Sequence, residues 1–401
     1  MSEISKSRFS IFKQTVAGDS GTDSNWQNLN VVLPGVSGGP ANTVVESQRI
    51  DPDRNAPGVK LVGGASGLTI PFEAQVPTAA TEAFWEMLRA SVYADSADAA
   101  LTSANNTSWT GNTLLIAAGD DGAWDGGAVE IGDVLQVYSN AAPTVKYYAR
   151  VTAITGDITD VQTDITSPTA AVDLRIKKGV TVTNGSTQAT FGMLRSFYSP
   201  GAVAYDLFNL YTQEVMEAVQ MSITSQSLVT GTFQTTGVGS ASIAATTNGL
   251  DPALGAAPTF TAAPTSDVLD GTNNVPFFRV AGADYPVQTI SMGWQNNSQS
   301  RTQVGTYAAT GISAGLFRGT GQLTAYFDDF AEFNKAIAGT ASSAYVVMED
   351  SSQRALIVSF PRIRYGNPTL PGQDRDVIAT LPFSFEKGTT ELNSIRISYI
   401  N

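Results

Sequence analysis

Few residues of this chain combine the types and the spacing that catalysis or metal binding requires. One group of carboxylates that could bind a metal is Asp120, Asp121 and Asp125, in the turn at 120–126. Carboxylate oxygens are good calcium ligands, but this turn lacks the spacing and the closing Glu of a calcium-binding helix–loop–helix. We therefore interpret it as an acidic turn and predict no metal site there.

The glycines Gly315, Gly319 and Gly321 do not form a phosphate-binding fingerprint, because the sequence after them predicts a strand and not a helix. The 401 residues contain no His and no Cys. Their absence excludes Ser–His and Cys–His nucleophilic pairs, zinc sites built from these residues, and disulfides. Many carboxylates remain, but no pair of them stands out. The sequence predicts no catalytic residue, no cofactor and no metal, and hence a protein that is not an enzyme.

The composition indicates a large β protein that meets other protein. Hydrophobic residues make up 42%, enough for real cores, whereas charged residues make up only 15% against the usual quarter. The net charge of −13 argues against a broad basic surface for nucleic-acid phosphates. The length suggests two or three domains. No apolar run approaches the ~18 residues of a membrane span, and the first residues lack the apolar core of a signal peptide. We expect synthesis in a cytoplasm.

An internal duplication organises the chain. Residues 68–73 alternate as a strand and precede an amphipathic helix near 83–88, and residues 323–328 and 332–337 repeat both features. The closing strands at 228–233 and 378–383 also match, and the first copy carries an insertion before its closing strand. Such repeats decide the architecture.

We predict a mainly β fold with two tandem sandwich- or barrel-like domains, each with one short helix, and a small inserted β-domain. The predicted boundaries are 1–94 with 190–240 for the first domain, 95–189 for a barrel-like insertion, 241–275 for a linker, and 276–401 for the second domain.

The outward faces of the repeated strands carry small uncharged polar groups and sparse carboxylates. Such a face attracts a polyanion weakly, whereas an ordinary solvent-facing sheet would normally carry more Lys and Glu. The candidate residues of this face are Thr69, Glu73, Gln220, Ser222, Thr230, Thr232, Thr324, Asp328, Thr380, Ser384 and Glu386.

Several motifs in a fixed order carry a family resemblance. They are Gln48-Arg49 with Asp53-Arg54, Gly67–Glu73, Glu130–Val137, Tyr148–Ile154, Arg175–Gly179, Ser222-Ile223 with Leu228–Phe233, Gly321–Phe327 and Asp374–Phe383. This ordered set resembles the tail tube (major tail) proteins of long-tailed bacteriophages, in the branch with two tube domains per chain. The segment 201–213 and the loop 95–112 depart from the family pattern, which leaves the bounds of the insertion open.

The resemblance implies a structural virion protein made in the host cytoplasm and located in the tail. Its rings, with three chains and pseudo-sixfold symmetry, would stack into a hollow tube that conducts genomic DNA. Implied partners are other copies of the chain, tape-measure protein, the tail terminator, tail-tip or baseplate proteins, and DNA that passes without a specific site. The polar candidates above would line a net negative lumen. Candidates for contact between rings are Arg49, Asp53, Arg54, Gly58 and Lys60.

Two other classes stay open at this point. One is a different virion role, such as a decoration protein or a fibre, although a fibre should show shorter tandem repeats. The other is a carbohydrate-binding β-sandwich or a hydrolase. A sugar-binding module should expose clustered Trp, whereas Trp26, Trp85 and Trp294 are scattered along this chain.

Overall fold

The computed structural model of the chain describes residues 7–14, 25–32, 35–47, 58–103, 107–116, 124, 128–140, 142–155, 160–167, 173–197, 207–238, 241–244, 259–326, 331–369 and 378–401. Antiparallel strands dominate these residues, so the predicted mainly β fold is confirmed. Two helices lie among them, α1 (Ala83–Ser91) and α2 (Ala331–Ala338).

The strands of the first half of the chain are β1 (Arg8–Lys13), β2 (Asn25–Leu29), β3 (Ser37–Glu46), β4 (Val59–Glu73), β5 (Leu101–Thr102), β6 (Ser108–Thr110), β7 (Thr113–Leu115), β8 (Val134–Ser139), β9 (Ala142–Thr155), β10 (Asp160–Thr163), β11 (Leu174–Lys178), β12 (Val180–Thr183) and β13 (Thr190–Phe197). Those of the second half are β14 (Leu207–Thr224), β15 (Thr230–Thr236), β16 (Ala241–Ala244), β17 (Thr259–Thr261), β18 (Phe277–Val280), β19 (Ala283–Asp284), β20 (Val287–Gln295), β21 (Gln299–Arg301), β22 (Gly311–Ser313), β23 (Arg318–Tyr326), β24 (Ala341–Glu349), β25 (Ala355–Tyr365), β26 (Ile378–Glu386) and β27 (Arg396–Ile400).

Seven neighbouring strands form a continuous antiparallel part of an 18-stranded sheet, and we call this part the long sheet. Its order is β3, β4, β15, β14, β20, β23 and β26. Beyond β25 the chain runs along the far edge of β26, where Gly366 N–H donates to Pro382 O (2.7 Å). Thr369 and Thr380 exchange both backbone hydrogen bonds there, at 2.9 and 3.0 Å. Residues 366–369 therefore end the long sheet opposite β3.

The long sheet contains the same pairing order twice. The order β3–β4–β15–β14 recurs as β20–β23–β26–β25, and a helix follows the second strand in each group. The first part of β14 also pairs with β13 and β16, as β25 pairs with β24 and β27. The two groups meet where β14 pairs with β20, from Ala218 opposite Gln295 to Thr224 opposite Thr289. The strands matched in the sequence thus hold matching positions.

Alternation along each strand gives the long sheet one apolar face. In β14, Val219, Met221 and Ile223 are buried, while the residues between them point to the opposite side. Helix α1 covers this apolar face, and its Phe84 ring lies 5.2 Å from Phe72. Burial of one such side chain contributes about 1.5–3 kcal/mol. The helix and the apolar strand residues together form the main core.

Helix α1 begins after Glu82 and ends where the backbone turns left-handed at Tyr93 (φ 51°). Its sequence consists largely of good helix formers, and an Arg89–Glu86 pair at 3.5 Å lies on its surface. Trp85, on its other side, meets Tyr399 of β27 edge-to-face at 4.6 Å. The helix therefore packs against elements from both ends of the chain.

A second sheet of seven strands forms within the insertion, in the order β5, β11, β8, β9, β10, β7 and β6. It has its own core, centred on Trp109, Leu114 and Val151. The sequence boundary at 189 lies beyond this sheet, since β12 already pairs with β27. Asp98 and Thr181 exchange backbone hydrogen bonds at 2.8 and 3.3 Å, so the two ends of the insertion lie side by side.

The inserted sheet docks on the second strand group through buried ion pairs and apolar contacts. Asp133, 1% exposed, binds Arg396 (2.5 Å) and Lys178 (3.3 Å), and these cations are 3% and 1% exposed. Arg150 pairs with Glu391 beside them. The apolar part of this surface comprises Val134, Tyr148, Tyr345, Val347, Ala355, Ile357 and Ile400. In the first group, the cluster with Phe12, Leu194 and Phe208 is covered by Trp26 and Phe260 instead.

One carboxylate is buried beside the long sheet without an ion pair in the described structure. Glu214 is fully buried in β14 and accepts hydrogen bonds from the hydroxyls of Ser66 and Thr235, the latter at 2.6 Å. Burial raises the pKa of the Glu214 carboxyl above its ordinary value, although both hydroxyl hydrogen bonds act in the opposite direction. The predicted linker 241–275 contains β16 and β17, while residues 245–258 lie outside the described chain.

Candidate functional site: the polar face of the long sheet

The face of the long sheet opposite the core is polar and open, and we call it the polar face. Strand register aligns its residues in rows across the sheet. One row contains Thr232, Gln220, Gly293, Thr320 and Ser384. A second contains Thr230, Ser222, Ser291, Gln322 and Pro382.

A third row consists of threonines alone. Thr224 lies opposite Thr289, Thr289 opposite Thr324, Thr324 opposite Thr380, and Thr380 opposite Thr369. Threonine is both β-branched and uncharged, so it suits a strand and presents a methyl and a hydroxyl group without charge. The row crosses the junction between the two strand groups without interruption.

The structure brings the sequence-predicted polar residues onto this one face. The ten candidates within the described chain are Thr69, Glu73, Gln220, Ser222, Thr230, Thr232, Thr324, Thr380, Ser384 and Glu386. Their strand neighbours Phe72, Phe233 and Leu381 belong to the core on the other side. Asp328 lies outside the described residues.

The polar face is concave. A groove of about 600 Å³ runs over its centre and is lined by residues of both strand groups, including Gln220, Thr232, Ser291, Thr320 and Gln322. The junction of β14 with β20 lies in the middle of this groove. The surface is therefore a shared product of the two groups.

Both edges of the long sheet are open within the described chain. The outer edge of β3 has no strand partner there, and neither has the outer edge of residues 366–369. Gly366, Asn367 and Thr369 are exposed accordingly. Open edges present unpaired N–H and C=O groups that template pairing with another chain.

Comparison with known families decides the assignment. The family model of the phage tail tube protein matches residues 4–385. The chain belongs to this family. No curated protein matches the sequence. A tail tube protein is a structural component of the virion tail that assembles with further copies of itself, which agrees with a site made of a surface and two strand edges.

Charged groups of this tail tube protein lie at the ends of the polar rows. Glu386 forms ion pairs with Arg364 (2.6 Å) and Arg362 (2.8 Å). The hydrogen bond from Arg364 is the main reason that the pKa of the Glu386 carboxyl lies below its ordinary value. Glu73 lies on β4, and Arg318 is exposed on β23. The described part of the face thus has two carboxylates and three guanidinium groups.

An exposed apolar arm extends from one edge of the long sheet. The arm consists of residues 41–46 of β3 and residues 59–65 of β4. More than half of the surface is exposed at each of its residues Val44, Val45, Val59, Leu61 and Val62. Loop residue Tyr307 donates from its hydroxyl to Asn42 at the base of the arm.

Gly58 and Lys60 of the expected ring-to-ring contact set lie in or next to this arm and are exposed. Arg49, Asp53 and Arg54 lie outside the described residues.

Sequence reasoning missed part of the polar face. Thr289, Ser291, Thr320 and Gln322 were not among the candidates, although Ile290, Met292 and Trp294 alternate with polar residues in the sequence. That period-two pattern is the signal that identifies them. The guanidinium groups of Arg362 and Arg364 were missed because their strand reads as apolar.

Other chemistry finds little support in the described residues. They contain no group of three or more His, Cys, Asp or Glu residues placed to hold a metal ion. No helix among them is long and apolar enough to cross a membrane. All five Trp are buried, so none presents the exposed ring that a sugar-binding module uses.

Proposed function

We propose that this chain builds the phage tail tube as rings of three chains, each with two tube domains. The supporting observation is the repeated order of four strands, which appears once as β3–β4–β15–β14 and once as β20–β23–β26 with β25 and its continuation at 366–369. Two matching units in one chain suit a ring with pseudo-sixfold symmetry. The expected bounds of the tube domains, 1–94 with 190–240 and 276–401, stay part of this proposal.

The junction inside the chain provides a template for ring closure. Within one chain, β14 of the first group pairs with β20 of the second group over Ala218–Thr224. The matching edge of the second group is 366–369, and the strand that matches β20 is β3. Both edges are open, so the β3 edge of one chain would pair with the 366–369 edge of the next. Three such junctions would close the long sheets into a barrel with no free edge.

The polar face would then line the lumen, because it is concave and the opposite face carries the core. Its central rows are uncharged, and its carboxylate Glu386 is paired with the guanidinium groups of Arg362 and Arg364. Fixed cations attract DNA phosphates strongly, and repeated along a tube they would slow the passage of DNA. Two carboxylates and three guanidinium groups lie on the described part of this face, so we propose a wall with little net charge in place of the net negative wall expected from the sequence. DNA would pass such a wall without a specific site.

Stacking of rings would use the β4 side of the exposed arm. Val59, Leu61 and Val62 leave apolar surface uncovered there, and such patches usually mark contact with another protein. In the assembled tail the lumen would first hold tape-measure protein, and terminator and tail-tip or baseplate proteins would meet the ends of the tube. Synthesis would take place in the host cytoplasm.

Electron microscopy of the purified protein tests the ring and the tube directly. We expect hollow rings or tubes with threefold symmetry and an approximate sixfold outline. Filaments with a solid shaft would favour a fibre, and monomers that attach only to capsids would favour a decoration protein.

Substitution of the lumen wall tests the role in DNA passage. Thr232→Lys and Thr320→Lys together add cations to the central row of the groove, and particles that carry them should eject DNA more slowly. A matched control places the same change at Thr389 and Thr390, two threonines beside the inserted sheet. Ejection at the unmodified rate from intact tubes would refute the assignment of the polar face to the lumen.

A further inference from the structure

The two helices hold matching positions but differ in how far they are covered. Leu88 of α1 and Ile337 of α2 match, because each follows the matching Phe84 or Phe333 by four residues. Leu88 is 1% exposed, whereas Ile337 is 73% exposed. A residue that the first group buries is therefore left open in the second group of the isolated chain.

The cover over the end of α1 comes from the other strand group. Trp294 Nε1 donates to Ser91 Oγ (2.9 Å) at the end of α1. Asn296 Nδ2 donates to the backbone oxygens of Ser91 (2.9 Å) and Met216 (3.0 Å). Trp294 lies in β20 and Asn296 follows it, so the strand that forms the junction also brings the cover for the helix.

Strand register shows which residues of β3 match this cover. Asn42 lies opposite Gly64 on β4, as Trp294 lies opposite Gly319 on β23. Two residues further along each strand, Val44 of the β3 segment matches Asn296, which follows β20. Val44 and Val45 are 57% and 51% exposed.

The open edge of the second group lies directly beside α2. The Arg364 guanidinium donates to Gly339 O, just after the last residue of α2. Residues 366–369 continue from there with their outer edge free. A β3 strand that pairs with 366–369 as β20 pairs with β14 must leave the sheet before Val44, because Ala341 and Ser342 of β24 already pair with Arg364 and Ile363. Val44 would then lie beside the end of α2, the helix that carries Ile337.

We propose that Ile337 of one chain packs against Val44 of a second copy of this chain at the junction between chains. This contact rests on the proposed ring and specifies it further. At the junction within the chain, Trp294 and Asn296 make a polar contact with Ser91. At the junction between chains, an apolar contact takes its place. Two surfaces that water covers in the monomer are thereby buried on assembly, which favours association.

Engineered cysteines test the contact, because the natural chain has none. A disulfide forms only when the two Cβ atoms approach to about 3.5–4.5 Å. Oxidation of assembled protein that carries both Val44→Cys and Ile337→Cys should convert the monomer band into dimers and trimers on a denaturing gel. The matched control is Val145→Cys with Ile337→Cys, since Val145 on the inserted sheet is 48% exposed. The control should remain monomeric.

Equal cross-linking in the control would overturn the contact, and so would a disulfide within a single chain. Electron micrographs of the same samples before oxidation separate the two proposals. Tubes without the cross-link would refute this contact and leave the ring intact, whereas no ring or tube from the unmodified chain would refute the proposed function itself.

A charge pair provides a second and independent readout. Ile337→Glu alone should stop assembly but leave the monomer folded, because the side chain is exposed there. Addition of Val44→Lys should restore tubes. Normal assembly of the Ile337→Glu variant would contradict the proposal.

Discussion

Removal of the Asp133 charge should loosen the attachment of the inserted sheet. Asp133 is 1% exposed and contacts Arg396 at 2.5 Å and Lys178 at 3.3 Å. Asp133→Asn keeps the shape of the side chain but leaves two buried cations with less compensation. Loss of one partner of a buried ion pair costs about 3–5 kcal/mol. Arg396 keeps Glu130 and Lys178 keeps Asp98, both partly exposed, so we expect the lower end, about 3 kcal/mol.

Hydrogen exchange of backbone amides measures this loss where it occurs. Global unfolding of a chain with several cores is not a two-state process, whereas local opening is read amide by amide. At about 1.4 kcal/mol per factor of ten, the amides of β12 and β27 should lose roughly two powers of ten in protection. Addition of Arg396→Met should recover part of the loss, because it removes one uncompensated cation.

Glu386→Gln is the matched control for this experiment. Its ion pairs with Arg362 and Arg364 are about one-third exposed, and such surface pairs contribute roughly 0–1 kcal/mol. Protection near β25 and β26 should therefore fall by less than about tenfold. A change of that small size for Asp133→Asn would refute the reasoning about the buried pair.

The remaining predictions concern a buried carboxyl, a strand glycine and the insertion. In the natural chain, thermal stability should fall as the pH rises above about 4.5, because the Glu214 carboxyl keeps its proton to a higher pH in the folded than in the unfolded chain. Glu214→Gln should abolish this fall. Gly321→Ala should cost about 1–3 kcal/mol because the new methyl group meets the Phe383 ring, whereas Gly311→Ala, with open space around it, should be near neutral. Replacement of residues 99–180 by a short linker should give protein that aggregates, because it uncovers the apolar docking surface on the second strand group.

Each of these has a clear contrary result. A melting temperature of the Glu214→Gln variant that follows pH as in the natural chain would show that another group titrates. Equal denaturation midpoints for the two glycine variants would show that the Phe383 ring moves away freely. Soluble rings from the shortened chain would show that the insertion is dispensable for the second strand group.

Period-two alternation was sufficient to predict the fold class and most of the polar face. Phe72, Phe233 and Leu381 are buried, and the polar residues next to each of them share the opposite face of the sheet. This follows because successive side chains of a pleated strand point to opposite faces. The matched pairs of strands were visible for the same reason. Local pattern and order along the chain carried this information.

Contacts between distant segments could not be predicted in the same way. The ion pairs of Asp133 with Arg396 and of Arg150 with Glu391 join residues far apart in sequence, and no local spacing marks them. The partial neutralisation of Glu386 was missed because Arg362 and Arg364 lie on another strand. The different exposure of Leu88 and Ile337 is hidden as well, since both helices read as amphipathic.

The junction of β14 with β20 has a kinetic consequence. It forms within one chain, so its formation does not depend on protein concentration, whereas any pairing at the β3 and 366–369 edges does. Substitutions at Ala218–Thr224 would therefore change how the chain folds, and substitutions at the open edges would change when chains associate. A cell that makes the protein slowly would accumulate folded monomers in which β14 is paired with β20 while the β3 and 366–369 edges are still unpaired.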